Sequence, residues 1–109
     1  MITLYGIPNC DTCRAAKKAL EEAGNALIFH DVRNDPLKRE TLVRFYASFG
    51  ESLINRRSTT WRGLSEEARA GDPIDLLLAN PTLMKRPVIE ANSTLTLGWD
   101  AAARAAHLG

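Results

Sequence analysis

An α/β domain on a mixed four-stranded sheet is the fold class predicted by the order of patterned segments along this chain. Strand-like runs at 2–7 and 26–32 flank a helix-forming stretch, so the chain opens β-α-β. Two short strand-like runs and a terminal helix close it, and a helical stretch separates the two halves. A helix between two strands implies a parallel pair joined by a right-handed crossover. The Asn92-Ser93 turn is tight enough only for an antiparallel hairpin, and the sheet is therefore mixed.

Each element has a local reason. Ile-Thr-Leu-Tyr-Gly-Ile at 2–7 alternates apolar with small or polar side chains, as a half-buried strand does. Asp11 to Ala23 is rich in helix formers, with Ala15, Ala16, Ala19, Leu20 and Ala23 on a connected face, and Gly24 supplies the stop. Ala26 to Val32 reads as the second strand. Asn34-Asp35-Pro36 predicts a helix start with Asp35 as N-cap and Pro36 in the first position. Leu37, Thr41, Leu42, Phe45, Tyr46 and Phe49 form its apolar stripe up to Gly50. A short helical turn at Leu53 and Ile54 precedes a polar loop through Arg62, and two short helices follow at Leu64–Ala70 and Pro73–Ala79, the second capped by Asp72 and stopped before Pro81. Val88–Ala91 and Thr94–Leu97 are the hairpin strands, Gly98 closes them, and Trp99–Leu108 is the terminal helix. This is the element order of a thioredoxin-like fold with a helical insertion between the second and third strands.

At 109 residues and 12.0 kDa the chain is expected to be a single domain spanning 1–109. A net charge of +1, from 14 basic and 13 acidic residues, leaves no electrostatic footprint for nucleic acid. No basic n-region with a long apolar h-region follows Met1, and no apolar run approaches the roughly 20 residues that a membrane span requires. A cytoplasmic protein is expected, without a membrane or nucleic-acid partner, working as a monomer. In a reducing compartment a Cys-x-x-Cys is more plausible as a redox site than as a permanent disulfide.

Cys10 and Cys13, in Ile7-Pro8-Asn9-Cys10-Asp11-Thr12-Cys13-Arg14, are the only two cysteines and fall at the expected strand-to-helix turn. There the first N–H groups of the helix are unpaired and favour a thiolate on Cys10. Cysteines in such settings reach a pKa of roughly 3.5 to 7.5 instead of about 8.5, which makes a nucleophile at neutral pH. Cys13, one helical turn on, could attack a mixed disulfide formed at Cys10. Two other readings stand beside this one. The pair could form half of a zinc site, although His30 and His107 offer neither a second Cys-x-x-Cys nor an HxxxH spacing. Either cysteine could also be inert packing, Cys13 more readily because it faces a helix interior.

Four arginines could serve the thiol. Arg56, Arg57 and Arg62 lie in the polar loop beside Trp61, and Arg86 precedes Pro87 at the entrance to the third strand. Arginine can hold an oxyanion bidentately or stabilise a thiolate. The residue before proline is held extended, so the backbone would aim Arg86. His30, with no acidic partner at ligand or triad spacing, is read as a strand residue of no chemical importance.

Three segments carry a resemblance over nearly the whole chain: Tyr5 through Arg14, Asn55-Arg56-Arg57-Ser58-Thr59-Thr60-Trp61-Arg62, and Lys85-Arg86-Pro87-Val88-Ile89. Together they resemble the arsenate reductase family of the ArsC/Spx type, most closely its YffB-like branch. The resemblance implies a catalytic set of Cys10, Arg57 and Arg86, with Cys13 as a possible resolving thiol, a cis peptide at Pro87, and Asn9, Thr12, Arg56 and Pro87 around the substrate. It implies no bound cofactor or metal, and glutathione as co-substrate. Glutathione or a protein thiol or disulfide would be the partner of a glutathione-dependent thiol reductase. Spx-type regulators, whose Cys-x-x-Cys this chain shares, imply the alternative of a redox switch that binds a protein partner. Arsenate reduction comes third. Arsenate reductases of this type place a third arginine in the final hairpin, where Thr94-Leu95-Thr96-Leu97-Gly98 has none.

Overall fold

In a computed structural model of the chain, which describes residues 1–108, the elements in order are β1 (Ile2–Gly6), α1 (Asp11–Glu22), β2 (Leu27–Asp31), α2 (Arg39–Phe49), a 3₁₀ turn (Gly50–Leu53), α3 (Thr59–Arg62), α4 (Glu66–Arg69), α5 (Pro73–Ala79), a second 3₁₀ turn (Pro81–Leu83), β3 (Val88–Ala91), β4 (Thr94–Leu97) and α6 (Ala101–Leu108). They fall into two compact units. One comprises residues 1–32 with the segment from Arg86 onward, and the other is Arg33–Lys85.

The first unit is built on the sheet, in the order β2-β1-β3-β4. β1 runs parallel to β2, with Leu4 opposite Phe29, and antiparallel to β3, with Leu4 opposite Ile89. β3 pairs antiparallel with β4 through the Asn92-Ser93 turn, where Asn92 takes a φ of 56°. The mixed four-stranded sheet is thus the one expected from the element order. Ile2, Leu4 and Ile89 from the strands and Cys13, Ala16 and Leu20 from α1 make one buried cluster, with Leu27, Phe29 and Trp99 packed against it.

The buried stripe of α1 differs from the expected alanine face. Cys13, Ala16 and Leu20 are buried, whereas Ala15 and Ala23 are exposed. Spacings of three and four residues lay those three side chains on the sheet, and alanine, tolerated on either face, says little about which face is inside. The terminal helix also starts later than expected, at Ala101, with the Asp100 carboxylate accepting from the Ala103 N–H at 2.9 Å.

The second unit is a group of short helices. Leu42 and Phe45 of α2, Leu53, Ile54, Ile74, Leu76, Leu77, Leu83 and Met84 are its buried apolar residues. α2 begins at Arg39 and not at Pro36: Lys38 is extended at its N-cap, without a capping side chain, and Asp35 to Lys38 are not helical. Anchoring comes instead from the first turn, where Arg39 pairs with Asp75 of α5 at 2.5 Å, and from burial of Leu42 and Phe45. The expected polar loop holds a helical turn, α3, because the Ser58 hydroxyl accepts the Trp61 N–H at 3.1 Å. Ser65 caps α4 in the same way, which shortens the helix expected at 64–70 to Glu66–Arg69. Asp72 caps α5 as expected, accepting from Ile74 and Asp75 N–H at 2.9 and 3.2 Å. Backbone pairing closes the unit: Asn55 N–H donates to Leu83 C=O at 2.9 Å and Lys85 N–H to Leu53 C=O at 2.7 Å. No helix among the described residues is long and apolar enough to cross a membrane.

Candidate redox site

β1 ends at Gly6, and three residues, Ile7, Pro8 and Asn9, carry the chain to Cys10, the N-cap of α1. Its extended backbone (φ −97°, ψ 119°) leaves the Cys10 C=O to accept the first helical bond, from Arg14 N–H at 3.0 Å, and turns the side chain toward the helix start. The neutral thiol makes no capping hydrogen bond. The thiolate is the form that this position favours. Burial alone would push the Cys10 thiol up, but the Cys13 N–H, the Cys13 thiol, the positive charge of Arg86 and the Thr12 N–H together outweigh it, and the thiol titrates below its ordinary value.

Cys13 lies one turn along the same helix and has no exposed surface. Burial drives its thiol up to about 12, and the neighbouring Cys10 adds to the effect, while the Ile7 backbone and Arg86 oppose it. Both residues are free cysteines. The two sulfurs are therefore pushed in opposite directions, Cys10 toward the thiolate and Cys13 toward the thiol.

Arg86 is half-buried just before β3, and its charge acts on both sulfurs. The Arg86–Pro87 peptide is cis, as the resemblance implied, and Pro87 is fully buried. Cys10, Thr12, Cys13, Arg86 and Pro87 all belong to the first unit. Asn9, just ahead of Cys10, is exposed. The His30 ring lies 5.2 Å from that of Tyr5, tilted by 39°.

Arg56 and Arg57 belong to the second unit and behave differently from each other. Arg56 pairs with Glu51, which also accepts from the Tyr46 hydroxyl at 2.6 Å, and its guanidinium lies 5.3 Å from the centre of the Trp61 ring. Arg69 approaches the same ring at 5.4 Å and donates to the Trp61 and Arg62 carbonyls, both at 3.2 Å. The Arg57 N–H is taken by the Asn55 side chain at 3.1 Å, and among the described residues its guanidinium has no ion-pair partner. Arg57 lines an open cleft of about 540 Å³ with Glu51, Ser52, Ile54, Asn55, Arg56 and Lys85. Lys85 escaped sequence reasoning, although it stands next to Arg86 in the motif. Its cleft is formed only when the segments around 55 and 84 pair. Among the described residues no group of three His, Cys, Asp or Glu side chains is placed to hold a metal ion.

Comparison with known proteins agrees with this geometry. The model of the ArsC family matches residues 5–106. The solved structure of a YffB protein superposes with a TM-score of 0.91 at 38% identity, covering 100% of both chains. An arsenate reductase (ArsC) related protein from Brucella melitensis gives a TM-score of 0.73 at 40% identity, over 97% of this chain and 92% of that one. The global transcriptional regulator Spx of Streptococcus mutans is 30% identical over 106 residues, 92% of this chain and 77% of that protein. With a thiol at the start of α1, a cis-proline before β3 and a family match over nearly its whole length, this chain belongs to the ArsC family.

Proposed function

We propose that the protein is a glutathione-dependent thiol reductase in which the Cys10 thiolate is the nucleophile. The observation that carries this reading is the helix-start environment of Cys10, where the Cys13 N–H, the Cys13 thiol, the Arg86 charge and the Thr12 N–H together outweigh the cost of burying the charge. The thiolate attacks the glutathionyl sulfur of a mixed disulfide, forms a Cys10–glutathione disulfide and expels the substrate sulfur as a thiolate, which takes a proton from solvent. A second glutathione thiolate then attacks that glutathionyl sulfur, releasing oxidised glutathione and restoring the Cys10 thiolate. In balance, one mixed disulfide and one glutathione thiol become the substrate thiol and oxidised glutathione, the disulfide bond passing from the substrate sulfur to the incoming glutathione sulfur. Arg57 and Lys85, not engaged with neighbouring carboxylates, suit the carboxylates of glutathione, whereas Arg56 is committed to Glu51 and Trp61.

The test is turnover of the mixed disulfide of glutathione and 2-mercaptoethanol with glutathione as the reductant. Multiple turnovers are expected, abolished by Cys10→Ser with the fold retained. Absence of turnover by a protein whose Cys10 alkylates readily at neutral pH would overturn the reading. The Cys10 and Cys13 pair, together with the 30% identity to Spx, supports a second reading as a redox switch that binds a protein partner. A single oxidation event coupled to retention of a protein, without turnover, would mark that reading.

A further inference from the structure

We infer that the shallow pocket between α1 and the edge strand β2 seats the polypeptide half of the disulfide that Cys10 attacks, and that it favours a chain with an apolar side chain and a carboxylate two and three residues from its reacting cysteine. The inference rests on the proposed reading in taking Cys10 as the nucleophile, and it names the substrate class of that site as an acidic, apolar peptide or protein disulfide.

The pocket has a volume of about 370 Å³ and is lined by Pro8, Arg14, Lys17 and Phe29, all in the first unit. Helix geometry ties it to the thiol. Residues spaced by four and then three share one stripe of a helix, so Arg14 and Lys17 run down α1 from its N-cap, Cys10, alongside the buried stripe of Cys13, Ala16 and Leu20. At the other wall, Phe29 lies on β2, at one edge of the sheet, and packs in part against the core cluster. Pro8 is exposed in the link that leads to Cys10, so the pocket reaches the nucleophile's own loop.

The lining has two kinds of chemistry. Pro8 and Phe29 are apolar, and both charged residues are cations, with no acid among the lining residues. Each cation has a carboxylate one turn away on α1: Arg14 pairs with Asp11, and Lys17 with Glu21 at 3.5 Å. Those pairs are exposed, and exposed one-turn pairs are weak enough to yield to an incoming carboxylate. Glutathione brings carboxylates but no apolar side chain, whereas a polypeptide can bring both. Its reach is set by two repeats. At about 1.5 Å per residue, Arg14 and Lys17 stand roughly 6 and 10 Å from Cys10 along the helix axis, and an extended chain at about 3.3 Å per residue covers those distances in about two and three residues.

Disulfide exchange with 2-pyridyl disulfides tests this in the full-length protein without glutathione. The Cys10 thiolate attacks the peptide sulfur, a Cys10–peptide disulfide forms, and the pyridine-2-thiolate leaves and is protonated to the thiopyridone that is measured. The probes are the end-blocked peptides Glu-Phe-Gly-Cys-Gly-Phe-Glu, symmetric so that either chain direction fits, and Lys-Ser-Gly-Cys-Gly-Ser-Lys, with the 2-mercaptoethanol derivative as reference. The acidic, apolar peptide is expected to react roughly tenfold faster than the basic, polar one, from two exposed charge pairs and a ring taken partly out of water. Lys17→Glu is expected to bring the two rates within about twofold of each other. Arg104→Glu makes the same change of charge on α6, beside β4 at the opposite sheet edge, and is expected to keep the preference. Equal peptide rates beside a fast reference reaction would overturn the seat and leave the nucleophile standing, whereas slow reaction of all three probes would overturn both. A preference that survives Lys17→Glu, or that an excess of S-methylglutathione abolishes, would also overturn the inference, the latter by giving the pocket to glutathione. A preference that depends on Lys17 in a protein without glutathione turnover supports the seat and counts against the glutathione reading alone.

Discussion

The unit that carries the thiols is organised by strands from both ends of the chain, with Leu4 lying between Phe29 and Ile89, whereas α3, α4 and α5 of residues 33–85 each start at a cap set by neighbours a few residues away. In the first, a residue is placed by partners 25 to 85 positions distant, and the reactive sulfur inherits that precision. In the second, Ser58, Ser65 and Asp72 each start a helix within three residues of themselves, and a small apolar group gathers the pieces. The reactivity of Cys10 should therefore depend on the first unit.

The largest stability effect should come from the helical unit's centre. Phe45 is fully buried, and Phe45→Ala is expected to cost about 3–5 kcal/mol, against about 1 kcal/mol or less for the exposed Val43→Ala on the same helix. Urea denaturation checks the pair, and a Phe45→Ala loss below about 1 kcal/mol would mean that caps alone hold the unit.

Next comes the separation of chemistry from anchoring. Arg57→Ala is expected to raise KM for glutathione roughly tenfold, as loss of one charged hydrogen bond does, with the Cys10 alkylation midpoint unchanged. Arg56→Ala should raise it less, because Arg56 is spent on Glu51 and Trp61. An Arg57→Ala protein with native steady-state kinetics would break the division between the units.

A smaller effect tests the local logic. Asp72→Ala leaves the Ile74 and Asp75 N–H groups without their cap and should cost about 1 kcal/mol, with faster hydrogen exchange in α5 and native exchange in β1 and β3. Equal acceleration in the strands would show that the units open as one.

The smallest belongs to His107, which ties α6 to β4 through a 2.8 Å contact of its Nε2 with the Thr96 hydroxyl. Burial lowers its pKa, and its Nδ1 is buried without a hydrogen-bond partner among the described residues. Between the lowered native value and about 6.5 the unfolded chain binds the extra proton, so stability falls as pH drops through that window. Thermal midpoints at pH 5.5 and 7.5 should differ less in His107→Gln than in the native protein.

Both strands of the hairpin and the α5 cap stand where the sequence patterns put them, because each depends on local signals: alternation around Asn92-Ser93 and an Asp-Pro start. Asp35-Pro36 carries the same start signal and forms no helix there. A cap specifies where a helix can begin, but burial of Leu42 and Phe45 one turn later decided where it does. Ser58 was a legible cap that composition masked, since three hydroxyl residues in a row read as loop.

The sequence by itself determined the family and the strand-to-helix setting of Cys10, since motif order, element alternation and helix-terminus electrostatics are all written in residues near one another. Tertiary structure alone decided how strongly burial holds Cys13 as a thiol, which of Arg56 and Arg57 pairs with a carboxylate, and why residue 6 is glycine. Those outcomes turn on burial and on contacts between segments distant in sequence. Desolvation of Cys13 by Leu4 and Ile89, the capture of Arg56 by Glu51 and Trp61, and the gap that Gly6 leaves for a sulfur have no signature in any single stretch of the chain.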